Sequence, residues 1–239
     1  MMDKLKIQNS LSRYLAIATL VLSVSACTFM GLDLQEDHKH KVTILEPDIH
    51  MTAWEFINKP LEDTLRSFEL IRDAVVYAGL EEEYSKPGRT FLVFNNQSVL
   101  RYDSNGAVNS GCYFGREGVP ELDENGDPVL DSLGQPITCP GRNWEDYPVE
   151  QIRNLLLYHI VEGEYSYHNL GPDNTIAQSL SPVDTANKVH LRIENDRNAK
   201  LRVNDFHGTI QSSIARTANL KATNGFIHVF DTYQRYGVQ

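Results

Sequence analysis

Cysteine is scarce in this chain of 239 residues, three in all, and bases are outnumbered by acids 22 to 32, leaving a formal net charge of −10. A surface of that sign repels phosphate backbones and anionic headgroups, which excludes nucleic acid as a partner and membrane docking by charge. The sequence also lacks Gly-x-Ser-x-Gly, His-Glu-x-x-His and any phosphate-cradling glycine-rich loop before a helix. A catalytic role is therefore not expected. Carboxylates for a polysaccharide hydrolase are present, but nothing in the sequence sets their separation. Against these absences, 41% hydrophobic and 23% charged residues make an ordinary globular balance, which excludes a disordered tail protein. The acid excess is uneven. Residues 28–149 hold 22 acids and 10 bases, whereas residues 150–239 hold nine of each.

The first 26 residues are basic and then apolar, the run from Tyr14 to Ala26 ending at Cys27. Thirteen residues are too few to span a bilayer as a helix but suit the apolar region of an export signal. Val24-Ser25-Ala26-Cys27 resembles the bacterial lipobox, in which the cysteine is acylated and becomes the first residue. Palmitate-type chains on Cys27 would then anchor the protein, at about 0.8 kcal/mol per buried methylene. The alternative is a plain secretory signal. Residues 27–50 are polar and mixed in charge, and read as a tether, with His38 and His40 solvated rather than ligating. Cys112 and Cys139 remain, and an even pair in an exported chain is expected to form a disulfide. The chain-entropy model gives such a closure roughly 3.5 kcal/mol. Two free thiols are the alternative, and metal binding needs more ligands than this pair.

Beyond the tether, Trp54, Phe56 and Ile57 mark a short helix before Pro60. Residues 64–80 place Leu65, Phe68, Ile71, Ala74, Val75 and Ala78 on one helical face, with Gly79 set to end the helix. Thr90 to Phe94 is an apolar run expected to be a buried strand. A second helix is predicted from Val149 through Ile160, closed by Gly163. The period then changes to two, with Val189, Leu191 and Ile193, then Leu201 and Val203, facing inward on two strands joined at residues 195–199. Asn224-Gly225 is a turn before a last strand, residues 226–230. No internal repeat is evident, so a single α+β domain is expected over residues 51–236. Residues 101–148 interrupt it without either periodicity, rich in Gly, Pro, Asn and Asp. They include an acidic window, Glu121 to Asp131, with five acids and no base. A segment of this length without regular structure is usually functional or disordered. A bridged hairpin excursion is expected.

Several segments together resemble the fasciclin domain family. Ala222-Thr-Asn-Gly-Phe-Ile-His-Val-Phe-Asp231 is similar to the family's closing motif, Leu155-Leu-Leu-Tyr-His-Ile-Val-Glu-Gly163 to its Tyr-His motif, and Arg89-Thr-Phe-Leu-Val-Phe94 to its first strand. The opening Met51-Thr-Ala-Trp-Glu-Phe-Ile57 resembles surface lipoproteins of that family in Bacteroidota. The resemblance implies a wedge-shaped β-sandwich with helices packed at one end, used for adhesion to proteins or glycans and without catalysis or cofactor. Two places depart from the pattern. Val93-Phe-Asn-Asn96 replaces the usual Ala-Pro-Thr-Asp, and Asn219-Leu220 replaces the Asp-Ile pair linked to integrin-type adhesion.

Tyr158 and His159 match an adhesion-associated pair of that family. Adjacent helix positions point about 100° apart, and the preferred reading bonds His159 to a buried carbonyl with Tyr158 at the rim. The alternative displays one of them. His228 reads as a satisfied core histidine. Tyr165, Tyr167 and His168 form a candidate glycan platform, with Tyr165 and Tyr167 on one face if the segment is a strand; ordinary packing is the preferred reading. Asp123, Asn125, Asp127 and Asp131 are a weaker candidate for calcium, lacking the full loop spacing of a calcium hand. The expected protein is a lipoprotein of the outer membrane, facing the cell exterior and binding a glycan or surface protein. An accessory subunit of an outer-membrane uptake complex, bound to a transporter, is the alternative.

Overall fold

The computed structural model describes residues 48–60 and 67–235. The predicted signal, Cys27 with its expected acylation, and nearly all of the expected tether lie outside them, as does the start of the predicted 64–80 helix. The apolar run Arg89–Phe94 is strand β1, buried from Thr90 to Phe94. It lies between β10 (Gly225–Phe230), which runs parallel to it, and β4 (Ile160–Glu162), which is antiparallel. β9 (Thr217–Ala222) completes a sheet of order β4-β1-β10-β9. A second antiparallel sheet is β5-β6-β7-β8, from β5 (Thr175–Gln178), β6 (Lys188–Ile193), β7 (Leu201–Val203) and β8 (Ser213–Ile214).

The first sheet is covered on both faces, which is why β1 is apolar throughout instead of alternating. Phe91, Val93, Ile227 and Val229 pack on the helical side with Ile71, Val75, Ile152 and Leu156. Leu92 and Phe230 point the other way, into a core shared with Val189, Leu191, Leu201 and Val203 of the second sheet. The result is a mixed α+β fold of helices, sheet and sheet, with two apolar layers.

Helix α1 (Ala53–Asn58) begins at a capping box: the Thr52 hydroxyl accepts from the Glu55 amide at 3.1 Å, and the Glu55 carboxylate accepts from the Thr52 amide at 2.7 Å. Helix α2 (Glu69–Tyr77) buries Ile71, Ala74 and Val75, the predicted stripe. It stops where Gly79 adopts φ +63°, letting the Leu80 amide reach back to the Val75 carbonyl at 3.0 Å. The long helix, α5 (Val149–Tyr158), with short α3 (Asn96–Val99) and α4 (Tyr113–Arg116) before it, ends earlier than its periodicity predicts. Ile160 and Val161 leave the helix and pair with β1 as β4, because both side chains are wholly buried there and the strand needs a second hydrogen-bonded neighbour.

The cysteine pair is not bridged. Cys112 and Cys139 are free thiols. Cys112 is wholly buried beside α4, with Sγ 3.0 Å from the Asn109 carbonyl oxygen, while Cys139 belongs to the two-residue strand β3 (Thr138–Cys139), paired with β2 (Val119–Pro120). Backbone pairing, not a covalent bond, closes the base of the excursion. The segment is also less detached than expected, since Tyr113, Phe114, Trp144 and Tyr147 are buried in the main core and their rings stack, tilt or meet edge-on.

Candidate functional site

The excursion contains a repeat that sequence reading missed. Three nine-residue units run from Arg101 to Asn109, Glu121 to Val129 and Val129 to Ile137, the last two sharing Val129, and in each the last amide donates to the first carbonyl at 2.7–2.8 Å. Inside each unit an Asp amide bonds four residues ahead, to the carbonyls of Ala107, Asp127 and Gln135 in turn, at 2.8 Å. Gly106, Gly126 and Gly134 carry the positive φ that tightens these turns. The Glu121 amide donates to Ile137 at 2.8 Å, so the second and third units close on each other. Asp-x-x-Gly at positions 103, 123 and 131 was the available signal, obscured because the first copy stands apart from the tandem pair.

Each unit presents the residue before its Asp to solvent. Tyr102, Leu122 and Leu130 are more than half exposed, each bridged to Val108, Pro128 or Pro136, and Leu133 at the third tip is 83% exposed. The acids alternate with these apolar groups. Asp123 and Asp131 serve the backbone: the Asp123 carboxylate accepts from Asn125 and Asp127 amides at 2.8 and 3.0 Å, and Asp131 from Leu133 and Gln135 at 2.8 and 2.9 Å. Those bonds from the Asp127 and Asn125 amides hold the Asp123 pKa below the usual carboxylate range. One oxygen of each, Oδ1, is thus occupied as a turn cap, and among the described residues no group of three or more His, Cys, Asp or Glu is placed to hold a metal ion.

Tyr158 and His159 are brought together but are both buried. His159 Nδ1 donates to the Leu155 carbonyl at 2.7 Å and Nε2 accepts from the Gln234 amide at 2.8 Å, which specifies a neutral ring. Burial pushes its pKa down to about 4. Tyr158 donates from its hydroxyl to the Lys188 carbonyl at 3.1 Å and accepts from Asn204 Nδ2 at 2.8 Å. Neither is displayed, so the pair acts in positioning the second sheet and the C-terminal segment. His228 is a core histidine as expected: Nδ1 accepts from the Asn219 amide, Nε2 donates to the Tyr165 carbonyl, both at 3.0 Å, and burial lowers its pKa to about 4.

Tyr165, Tyr167 and His168 lie in a turn after β4, not a strand, so Tyr165 and Tyr167 do not share a strand face. Tyr165 is half-buried, whereas Tyr167 and His168 are exposed. The Tyr167 amide donates to Asn219 Oδ1 at 3.0 Å, which ties this turn to β9. Asn219 itself has φ +65°, at a bulge in the β9–β10 pairing.

Comparison with known proteins gives one family: residues 142–233 match the model of the Fasciclin domain. Among solved structures, the chain is similar to a FAS1 domain pair from the insect cell adhesion molecule Fasciclin I, at 13% identity and a TM-score of 0.39. That similarity covers 70% of this chain and 43% of the other, so the chain spans less than half the length of that structure. No curated protein matches.

Proposed function

From a chain whose residues 142–233 match the Fasciclin domain, generally an adhesion-related and non-catalytic module, we propose an adhesion or ligand-binding protein for a glycan or a surface protein. Acyl chains on Cys27 would hold it in the bacterial outer membrane with the domain facing outward. The observation that supports this reading most is the turn array of residues 101–137, which exposes Tyr102, Leu122, Leu130 and Leu133 between acids on a well-packed scaffold. Loops on rigid frames carry most recognition, and exposed apolar groups rimmed by charge mark interaction surfaces. Tyr167 and His168 offer a second exposed aromatic position.

The test follows from the register. Pro120 pairs with Thr138, so residues 121–137 can be replaced by Asn-Gly, a hairpin turn, while Tyr113 and Phe114 stay in the core. The full chain and this variant are compared on a glycan array and on immobilised surface proteins. Loss of binding with a cooperative melt retained supports the reading, and binding equal to the full chain overturns the role given to the array.

A further inference from the structure

Away from the turn array, a cavity of about 320 Å³ opens beside α1 and β9. Its walls are Phe56, Phe68, Leu220 and Val229, and Lys59 and Arg216 line it as well. The backbone explains how β9 supplies two wall positions. Ile227 pairs with Leu220, but Val229 pairs with Thr217, so two residues of β9 face one of β10. Asn219 takes up the extra residue at φ +65°. This bulge turns Leu220 and Thr217, which an unbroken strand would aim to opposite faces, to the same side as Ile227 and Val229. Phe56 and Phe68 complete the hollow with ring centroids 5.1 Å apart.

The charges are unusual for this chain. Against a net −10, the described residues of the cavity lining include two cations and no acid. Among the described residues Lys59 has no ion-pair partner, and Arg216 meets only Asp231, at 3.3 Å, whose carboxylate is about half exposed and also accepts from Asn95 Nδ2. Such an exposed pair is weak, so the guanidinium retains donors for another anion. Volume and lining fit the lower end of small-ligand pockets, where apolar walls supply area and a few polar groups orient.

We propose that this cavity binds a small amphipathic carboxylate, its apolar body between Phe56 and Leu220 and its carboxylate held by Lys59 and Arg216. The inference is independent of the adhesion reading, since none of these residues belongs to the turn array. The test uses the full chain with 3-(4-fluorophenyl)propanoate, followed by fluorine NMR, beside the corresponding primary amide, which keeps the body and removes the charge. Saturable binding of the acid, at least ten-fold weaker for the amide, is expected. The double variant Lys59→Gln, Arg216→Gln should weaken the acid at least ten-fold and leave the amide unchanged. Leu220→Ala should weaken both ligands alike while the melt stays cooperative. Equal affinity of acid and amide, an unaffected double variant, or no saturation at millimolar ligand overturns the proposal.

Discussion

His159 and His228 make stability depend on pH above the carboxylate range. Both are wholly or almost wholly buried, and both are locked neutral by one donated and one accepted hydrogen bond. Their pKa values fall from 6.5 to about 4. A depressed folded pKa means the unfolded chain takes up protons first, so the stabilisation is complete above pH 6.5 and is lost as pH falls toward 4. Between pH 7.5 and 5.5, each ring protonates in the unfolded chain but scarcely in the folded one. Linkage gives a loss of about 1.4 kcal/mol per histidine, and about 3 kcal/mol for the pair. Half-buried His190, also shifted down by burial, adds to the same slope. The folded-state acids with lowered pKa values, Glu83 and Asp205 among them, act mainly at lower pH. Urea unfolding of the full chain at the two pH values measures the difference. A loss under 1 kcal/mol, or NMR titration of either ring near 6.5 in the folded protein, would refute the neutral buried histidines. His228→Gln should remove about half of the slope, whatever it costs in stability at pH 7.5.

Two further outcomes concern packing. A methyl group on Gly225, at φ +149°, would lie 1.8 Å from the Arg89 carbonyl oxygen, so Gly225→Ala should cost more than about 3 kcal/mol or prevent folding, whereas Gly79→Ala, facing open space, should cost about 1 kcal/mol; equal urea midpoints for the two would contradict the strand register. Among the described residues the hydroxyl of buried Tyr84 has no hydrogen-bond partner, and its ring stacks on Phe91 at 5.7 Å. Tyr84→Phe is expected to leave stability unchanged or raise it by up to about 1 kcal/mol in the same assay, and a loss above 1 kcal/mol would reveal a bond.

Much of this architecture was readable wherever one periodicity ruled a whole element. The stripe Phe68, Ile71, Ala74, Val75 and Ala78, the alternation of Val189, Leu191 and Ile193, and the turn at Asn224-Gly225 each appear as expected. Reading failed where a long-range partner overrode the local pattern. Ile160 continues the helical stripe of α5, yet its place in β4 depends on β1, seventy residues earlier in the chain. Spacing of the two cysteines carried no information about whether their sulfurs meet, and strand pairing at Val119 and Cys139 does what a bridge was expected to do. Among site residues, His159 showed its apolar surroundings but not its bond to Gln234, and the cavity beside β9 depends on a bulge at Asn219 that no composition marks.

The parallel pairing of Arg89 with Gly225, continued to Phe94 with Phe230, sets the order in which the chain can assemble. The middle strand of the first sheet waits for the last strand to be made. Contacts this distant slow folding and leave apolar strands unpaired while they form. Until residue 230 is available, β1 has neither its parallel neighbour nor full cover on either face, so the nascent chain leaves an apolar strand unpaired. A truncation that removes only β10 would therefore trap the molecule in that open condition instead of shortening it by one strand.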